Sequence, residues 1–268
     1  MRAPTARARR ALLVALASVC LLPSFSPRPA LAGNGVVSAA PYSDRIVPLA
    51  DGAHPVFGAP PPLGAPGTAT FVYLHGICGL TINGCPHFDG APGWLACPQA
   101  NQRCANGGSS WSGSVDDKIA LVDHALEAVR TRWPESTNAP VVLVGFSQGA
   151  YVAMDLASAQ PGRYAGLVLL GADTEGGLAR LRASRVSRVA LACGAYDMMF
   201  PKMRATAAEL APFGVAARFG SLGSVGHTYA AADGTDATLT GLLAWVRPGV
   251  DRAARSADAP SPPLPPAG

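Results

Sequence analysis

An uninterrupted apolar run in the middle of this 268-residue chain most constrains its fold. Residues 139–145 read Ala-Pro-Val-Val-Leu-Val-Gly. Such a run is typical of a strand inside a parallel sheet, where both faces are covered by helices. A helical pattern follows from about Gln148 to Ala159, so the chain passes directly from a buried strand into a helix.

Strand and helix patterns alternate over most of the chain. Strands are predicted over Thr68–Leu74, Gly93–Ala96, Ala165–Leu170, Arg188–Cys193 and Val215–Phe219. Helices are predicted over Ser114–Trp133, Leu178–Ala183, Lys202–Leu210 and Asp236–Val246, the first with the capping-box pair Ser114 and Asp117. Repeated βα units predict an α/β fold with a mostly parallel, doubly wound sheet and helices on both faces.

The first 32 residues have the pattern of a secretory signal peptide. Several arginines precede an apolar run from Ala11 to Leu22, and Ala30-Leu31-Ala32 offers a cleavage site. The apolar run is shorter than the roughly 20 residues that span a bilayer, so no stable membrane span is expected. We predict a secreted protein, either periplasmic or extracellular.

The rest of the chain divides into three parts. Residues 33–66 form a Pro/Gly-rich segment with edge-strand candidates such as residues 45–49, and residues 67–249 form the α/β domain. Residues 250–268 form a Pro-rich tail without apolar periodicity, which predicts disorder.

The charge of the mature chain argues against nucleic acid as a partner. The whole chain has a formal net charge of +4, but residues 1–32 contain five Arg and no acidic residue. The remaining 16 basic and 17 acidic residues leave a net charge of −1, with no basic stripe to neutralise phosphates.

Four cysteines are clustered in one short stretch. In an exported chain, Cys78, Cys85, Cys97 and Cys104 predict disulfides, with three pairings open. The alternative, a zinc site, lacks the usual Cys-x-x-Cys spacing, so no metal is predicted. Cys193 lies in an apolar strand and is expected to be a buried free thiol.

The turn after the central strand reads Gly145-Phe146-Ser147-Gln148-Gly149. A G-x-S-x-G sequence between a strand and a helix predicts a sharp turn that exposes the serine as a nucleophile. The alternative is a Gly-Ser-Gly loop without a catalytic role. The flanking strand and helix favour the nucleophile, Ser147.

A serine hydroxyl needs a base, and the base needs an acid that orients it. His227 is the single histidine after Ser147 and lies in a loop beyond the last predicted strand. Asp197 follows the strand that ends at Cys193 and is the preferred acid. Asp173, which follows the preceding strand, is the alternative acid.

Two backbone N–H groups are candidates for stabilising an oxyanion. Gln148 opens a helix, where the helix dipole favours negative charge. Ile77 follows Leu74-His75-Gly76 at the end of the first long strand; His75 is expected to hold this loop by hydrogen bonds. Met198, Met199 and Phe200 either line an acyl pocket or pack the next helix.

Four elements in this order resemble the small esterases of the α/β-hydrolase superfamily, particularly the dienelactone hydrolase and carboxylesterase/acyl-protein thioesterase branch. They are Leu74-His75-Gly76, Gly145–Gly149, Gly194–Asp197 and Gly226-His227. The likeness covers roughly residues 68–247. The cysteine-bearing loop departs from this branch, and Cys193 alone near Asp197 argues against a true cutinase.

The resemblance implies Ser147, Asp197 and His227 as a triad, Ile77 and Gln148 as oxyanion donors, and no metal or organic cofactor. The expected activity is hydrolysis of a carboxylic ester or thioester, on a small-molecule or polymeric substrate. Two alternatives stay open: a serine peptidase or amidase with the same triad, and an inactive binding protein on this scaffold.

Overall fold

The apolar strand over residues 141–146 lies in the middle of an eight-stranded sheet. A computed structural model describes residues 44–65, 67–231 and 237–248. The expected signal peptide, the first part of the Pro/Gly-rich segment and the expected Pro-rich tail lie outside the described residues.

The strands are β1 (Val47–Ala50), β2 (Val56–Ala59), β3 (Thr70–Leu74), β4 (Trp94–Pro98), β5 (Gln102–Arg103), β6 (Ser109–Ser110), β7 (Val141–Phe146), β8 (Tyr164–Leu170), β9 (Arg188–Cys193) and β10 (Ala216–Ser221). They run in the order β1-β2-β4-β3-β7-β8-β9-β10 across the main sheet, and β5 and β6 form a separate pair. Neighbouring strands from β4 to β10 are parallel, whereas β1 and β2 are antiparallel at one edge.

Helices cover both faces of the sheet, so the predicted fold class is confirmed. Val141 and Leu143 of β7 pack with the helices of one face, and Val142 and Val144 pack on the other. The helices are α1 (Thr81–Gly84), α2 (Val115–Arg132), α3 (Gln148–Ala159), α4 (Leu178–Ala183), α5 (Phe200–Leu210) and α6 (Ala237–Val246). Helices α2 to α5 cover the first face of the sheet, and α6 covers the second.

Some element boundaries differ from the sequence prediction for physical reasons. Helix α5 begins at Phe200 instead of Lys202. The first turn of a helix tolerates Pro201, because an N–H at that position would have no acceptor within the helix. Strand β4 runs on to Pro98 because it pairs with β2, which was not predicted as a strand of its own.

The strand order reverses beside β3. From β3 the chain moves to β4 on one side and then crosses through α2 to β7 on the other. In open α/β sheets, such a reversal leaves a crevice at the carboxyl ends of the strands, where ligands bind. Leu74 at the end of β3 pairs with Gly145 of β7, so the two predicted functional loops emerge side by side.

Both predicted disulfides are present. Cys78 pairs with Cys104, and Cys85 pairs with Cys97, which selects one of the three possible pairings. Cys193 is free and buried, and burial raises its pKa to about 12. None of the described helices combines the length and apolarity needed to cross a membrane.

The N-terminus of α2 offers a test of helix capping. Ser114 accepts a hydrogen bond from the Asp117 N–H, and the Asp117 side chain accepts one from the Ser114 N–H. Ser114→Ala should lower the free energy of unfolding by about 1 kcal/mol, measured by urea denaturation. Ser114→Asn keeps a capping acceptor and should stay close to wild type; equal losses in both variants would contradict the capping role.

Candidate active site

Ser147 occupies the sharp turn between β7 and α3. Its backbone has φ 53° and ψ −117°, a positive-φ conformation outside the left-handed helical region that is strained for a residue with a Cβ. The Ser147 N–H donates to the Leu170 carbonyl at 2.8 Å, and the Ser147 carbonyl accepts from the Ala150 N–H at 3.0 Å. The turn is therefore held from the neighbouring strand and from its own helix.

The two glycines of the motif are required by close packing. A Cβ on Gly149 would overlap the carbonyl group of Leu74, and a Cβ on Gly145 would overlap the backbone of Gly149. The first turn of α3 thus lies directly against the end of β3. A larger residue at position 149 would push α3 away from the end of β3, and one at position 145 would push α3 away from β7.

His227 and Asp197 form a hydrogen-bonded pair. The Asp197 Oδ2 atom lies 2.8 Å from His227 Nδ1, and Asp197 Oδ1 accepts the Met199 N–H at 2.9 Å. The Asp197 side chain is 1% exposed, whereas the His227 side chain is 48% exposed. Because Nδ1 is directed to the carboxylate, Nε2 is the nitrogen left for proton exchange with a substrate or a serine.

Asp173, the alternative acid, is engaged elsewhere. Its carboxylate pairs with Lys202, which holds the pKa of Asp173 below its ordinary value through a hydrogen bond. Its N–H donates to the Tyr151 hydroxyl at 2.9 Å. The structure thus brings Asp197, and not Asp173, to the His227 ring.

Ser147, Asp197 and His227 line a single cavity of about 490 Å³. Among the residues that the structure describes, none is hydrogen-bonded to the Ser147 hydroxyl. The other lining residues are Tyr151, Gly171, Tyr196, Met198 and Met199.

The three candidates for an acyl pocket divide into two groups. Met198 and Met199 line the cavity, and Met198 is 78% exposed. Phe200 does not line it. Its ring packs edge-on against Phe219 with the ring centroids 5.0 Å apart, so this residue belongs to the packing of α5 on β10.

The Gly76–Ile77 peptide is held with its N–H directed away from the His75 ring. The Gly76 carbonyl accepts from His75 Nδ1 at 2.8 Å and from the Gly79 N–H at 3.1 Å. Because a trans peptide is planar, with its C=O and N–H on opposite sides, these bonds also fix the direction of the Ile77 N–H. That N–H has no acceptor among the described residues.

His75 is a structural residue in its neutral form. The Ala100 N–H donates to its Nε2 atom at 3.1 Å, so the ring proton is on Nδ1 and is donated to Gly76. Burial lowers the pKa of His75, which keeps the ring neutral near pH 7.

The second N–H belongs to Gln148, the first residue of α3, and it too has no acceptor among the described residues. A Cβ on Gly76 would lie 3.3 Å from the Ser147 Cβ, so the Ile77 peptide adjoins the serine turn. The positive end of the α3 dipole adds to the attraction for negative charge beside Ser147.

Four residues at or beside this site were not singled out by the sequence analysis: Gly171, Tyr151 and Tyr196, which line the cavity, and Trp111, which bonds to the Gln148 side chain. Gly171 has φ +56°, and a Cβ there would lie 3.1 Å from His227 Nδ1 and 3.2 Å from Asp197 Oδ2. Its position directly after a predicted strand was the available signal. Tyr151 and Trp111 carried no such signal, because both belong to the site only through long-range contacts.

No family model and no curated protein matches the chain. Among solved structures, it is similar to a lipase in its open form, with a TM-score of 0.55, 14% identity, and coverage of 76% of this chain and 96% of the lipase. It is also similar to a carboxylesterase from Mesorhizobium loti, with a TM-score of 0.51, 18% identity, and coverage of 75% and 99%. A third structure, the esterase PE8, has a TM-score of 0.50, 23% identity, and coverage of 70% and 97%.

These matches cover 96–99% of the solved structures and 70–76% of this chain. At identities below one quarter, the similarity concerns the fold. Together with the eight-stranded, mostly parallel sheet, it shows that this chain has the α/β-hydrolase fold.

Proposed function

We propose that the protein is a serine hydrolase that cleaves carboxylic esters or thioesters through an acyl-Ser147 intermediate. The observation that carries the proposal is the His227–Asp197 pair, which lines one cavity with a serine on a strained strand-to-helix turn. The similar solved structures are an esterase, a carboxylesterase and a lipase, which supports ester hydrolysis as the reaction.

In the first half-reaction, Ser147 Oγ attacks the ester carbonyl carbon while His227 Nε2 takes the hydroxyl proton. The carbonyl oxygen becomes an oxyanion that accepts hydrogen bonds from the Ile77 and Gln148 N–H groups. The buried Asp197 carboxylate stabilises the imidazolium. As the tetrahedral intermediate collapses, His227 gives its proton to the departing alkoxide or thiolate.

In the second half-reaction, water attacks the acyl carbon and gives a proton to His227. The same two N–H groups hold the second oxyanion, and the proton then returns to Ser147 Oγ as the carboxylic acid leaves. No group beyond these residues and water is needed to balance either half-reaction.

The substrate acyl group is proposed to be apolar and short to medium in length. Met198 and Met199 line the cavity beside Ser147, and the flexible thioether side chains of methionine adapt to aliphatic groups. Tyr196, which is 75% exposed, extends this apolar lining toward the solvent.

Export from the cytoplasm is part of the proposal. Its support is the leader-like pattern of residues 1–32 together with two disulfides, which persist in oxidising compartments.

Hydrolysis of p-nitrophenyl esters by the oxidised mature protein tests the proposal. We expect activity in the wild type and a loss of kcat of about 10³-fold or more in Ser147→Ala and in His227→Ala, because nucleophile and base act as one unit. Matched p-nitroanilides test the amidase alternative. A folded wild type without ester turnover, or a Ser147→Ala variant that keeps full activity, would overturn the proposal.

Substitution of each candidate acid separates their roles. Asp197→Asn should lower kcat by about 10³-fold or more, since the amide no longer stabilises the imidazolium or the required tautomer. Asp173→Asn removes a surface pair with Lys202 and should leave kcat within about twofold. The reverse ranking in steady-state assays would assign the acid to Asp173.

Acyl-chain preference tests the role of Met198. In Met198→Ser, the kcat/KM ratio for hexanoate over acetate esters should fall about threefold to tenfold, because apolar contact area with the longer chain is lost. Phe213→Ser removes another exposed apolar side chain, 46% exposed, from a different part of the surface and should leave the ratio unchanged. An unchanged ratio in Met198→Ser would place the acyl chain elsewhere.

A further inference from the structure

We propose that Trp111 is a positioning residue that fixes the distance between the two oxyanion donors. This inference rests on the proposed function and deepens it. Trp111 is 4% exposed and lies on neither of the loops that carry the donors. It is, however, hydrogen-bonded to both of them, and the two sets of bonds use different parts of the residue.

The backbone of Trp111 holds the Gln148 side chain at both ends of its amide. The Trp111 N–H donates to Gln148 Oε1 at 3.0 Å, and Gln148 Nε2 donates to the Trp111 carbonyl at 3.1 Å. This pair of bonds resembles one rung of a β-ladder, made by a side chain. Because Gln148 is the first residue of α3, the two bonds restrain the backbone whose N–H is the proposed donor.

The indole of Trp111 holds the other donor loop. Its Nε1–H donates to the His75 carbonyl at 2.9 Å, and the Trp111 and His75 rings lie 5.2 Å apart between centroids. His75 in turn fixes the Gly76–Ile77 peptide through its bond to the Gly76 carbonyl. Trp111 is therefore linked to the Ile77 N–H through His75 and the Gly76 carbonyl.

The segment that carries Trp111 is itself tied to the Ile77 loop. Ser109 N–H donates to the Gly79 carbonyl at 3.0 Å, and the Cys78 N–H donates to Ser110 Oγ at 3.1 Å. The Cys78–Cys104 disulfide joins the same two segments covalently. The cysteine-bearing loop is where this chain differs from the esterases that it resembles. In this structure the loop acts as a brace for the oxyanion site.

The energetic importance follows from how sensitive an oxyanion is to donor placement. A donor must lie about 2.7–3.1 Å from the developing oxyanion, and loss of one donor costs about 10²–10³ in kcat. The two donors here belong to different loops, so their separation depends on contacts between the loops. Trp111 supplies three hydrogen bonds to that contact.

Gln148→Met tests the brace, because it removes both side-chain bonds to Trp111 while keeping the side-chain length and the Gln148 backbone N–H. The matched control is Gln160→Met, the same substitution at the C-terminal end of α3. Gln160 Oε1 accepts from the Tyr164 hydroxyl at 2.9 Å and from the Arg163 guanidinium at 2.9 Å. Both variants lose two side-chain hydrogen bonds, but only Gln148 belongs to the oxyanion site.

For Gln148→Met, we expect kcat for a p-nitrophenyl ester to fall about tenfold or more with KM nearly unchanged. The Ki of a trifluoromethyl ketone, whose adduct with Ser147 places an oxyanion in the same position, should rise by the factor that kcat/KM loses. Gln160→Met, at the opposite end of the helix from Ser147, should change both quantities less than about twofold.

Three results would overturn the role of Trp111: a Gln148→Met variant with wild-type kcat, equal losses in both variants, or a lower kcat with an unchanged Ki. Trp111→Phe, which loses the indole N–H alone, gives an independent test if Gln148→Met does not fold, and it should also lose kcat and inhibitor affinity together. An inactive wild type would instead reject the hydrolase proposal itself.

Discussion

The close approach of helix α3 to the end of strand β3 is the constraint on which the site depends. Because Gly145 and Gly149 have no side chains, the first turn of the helix packs directly against the Leu74 carbonyl group. In the turn that this packing requires, Ser147 has a strained, positive-φ conformation. Surrounding strands hold this strain, since the Ser147 N–H bonds to the Leu170 carbonyl. The serine is thereby held beside the Gly76–Ile77 peptide.

A second constraint is the unequal burial of the two other proposed triad members. Asp197 is sealed beneath the surface with both carboxylate oxygens in hydrogen bonds, and His227 stands half-exposed above it. Gly171 permits this arrangement, because a Cβ at that position would press against both residues. This arrangement supports the proposed chemistry, because the buried Asp197 carboxylate lies below the His227 imidazole and the cavity lies above it.

The sequence predicted the sheet class and the strand and helix order well, because each buried strand is a continuous apolar run and each following helix has a periodic face. Helix α3, helix α4 and strand β9 have the predicted bounds. Strand β2 escaped prediction, since Val56–Ala59 is too short to show a period and becomes a strand only by pairing with β4. The cysteine pairing was also beyond reach, because it depends on which loops the fold brings together.

For the site, the sequence predicted residues by their order along the chain and the structure adds their contacts. Ser147, Asp197 and His227 line one cavity, whereas Phe200 packs against Phe219 and lies outside it. The sequence preferred Asp197 over Asp173 by its position after a strand, and the structure adds that Asp197 bonds to His227 while Asp173 pairs with Lys202. The role of Trp111 was hidden from the sequence, since its three bonds reach residues more than thirty positions away along the chain.

The most direct measurement for the central claim is covalent labelling of the oxidised protein with a fluorophosphonate, followed by peptide mass spectrometry. In that reaction Ser147 Oγ forms a bond to phosphorus and fluoride leaves, which requires an activated serine. We predict a single adduct on Ser147 that is lost in the His227→Ala variant. A folded protein that stays unlabelled, or a label on another residue, would contradict Ser147 as the nucleophile.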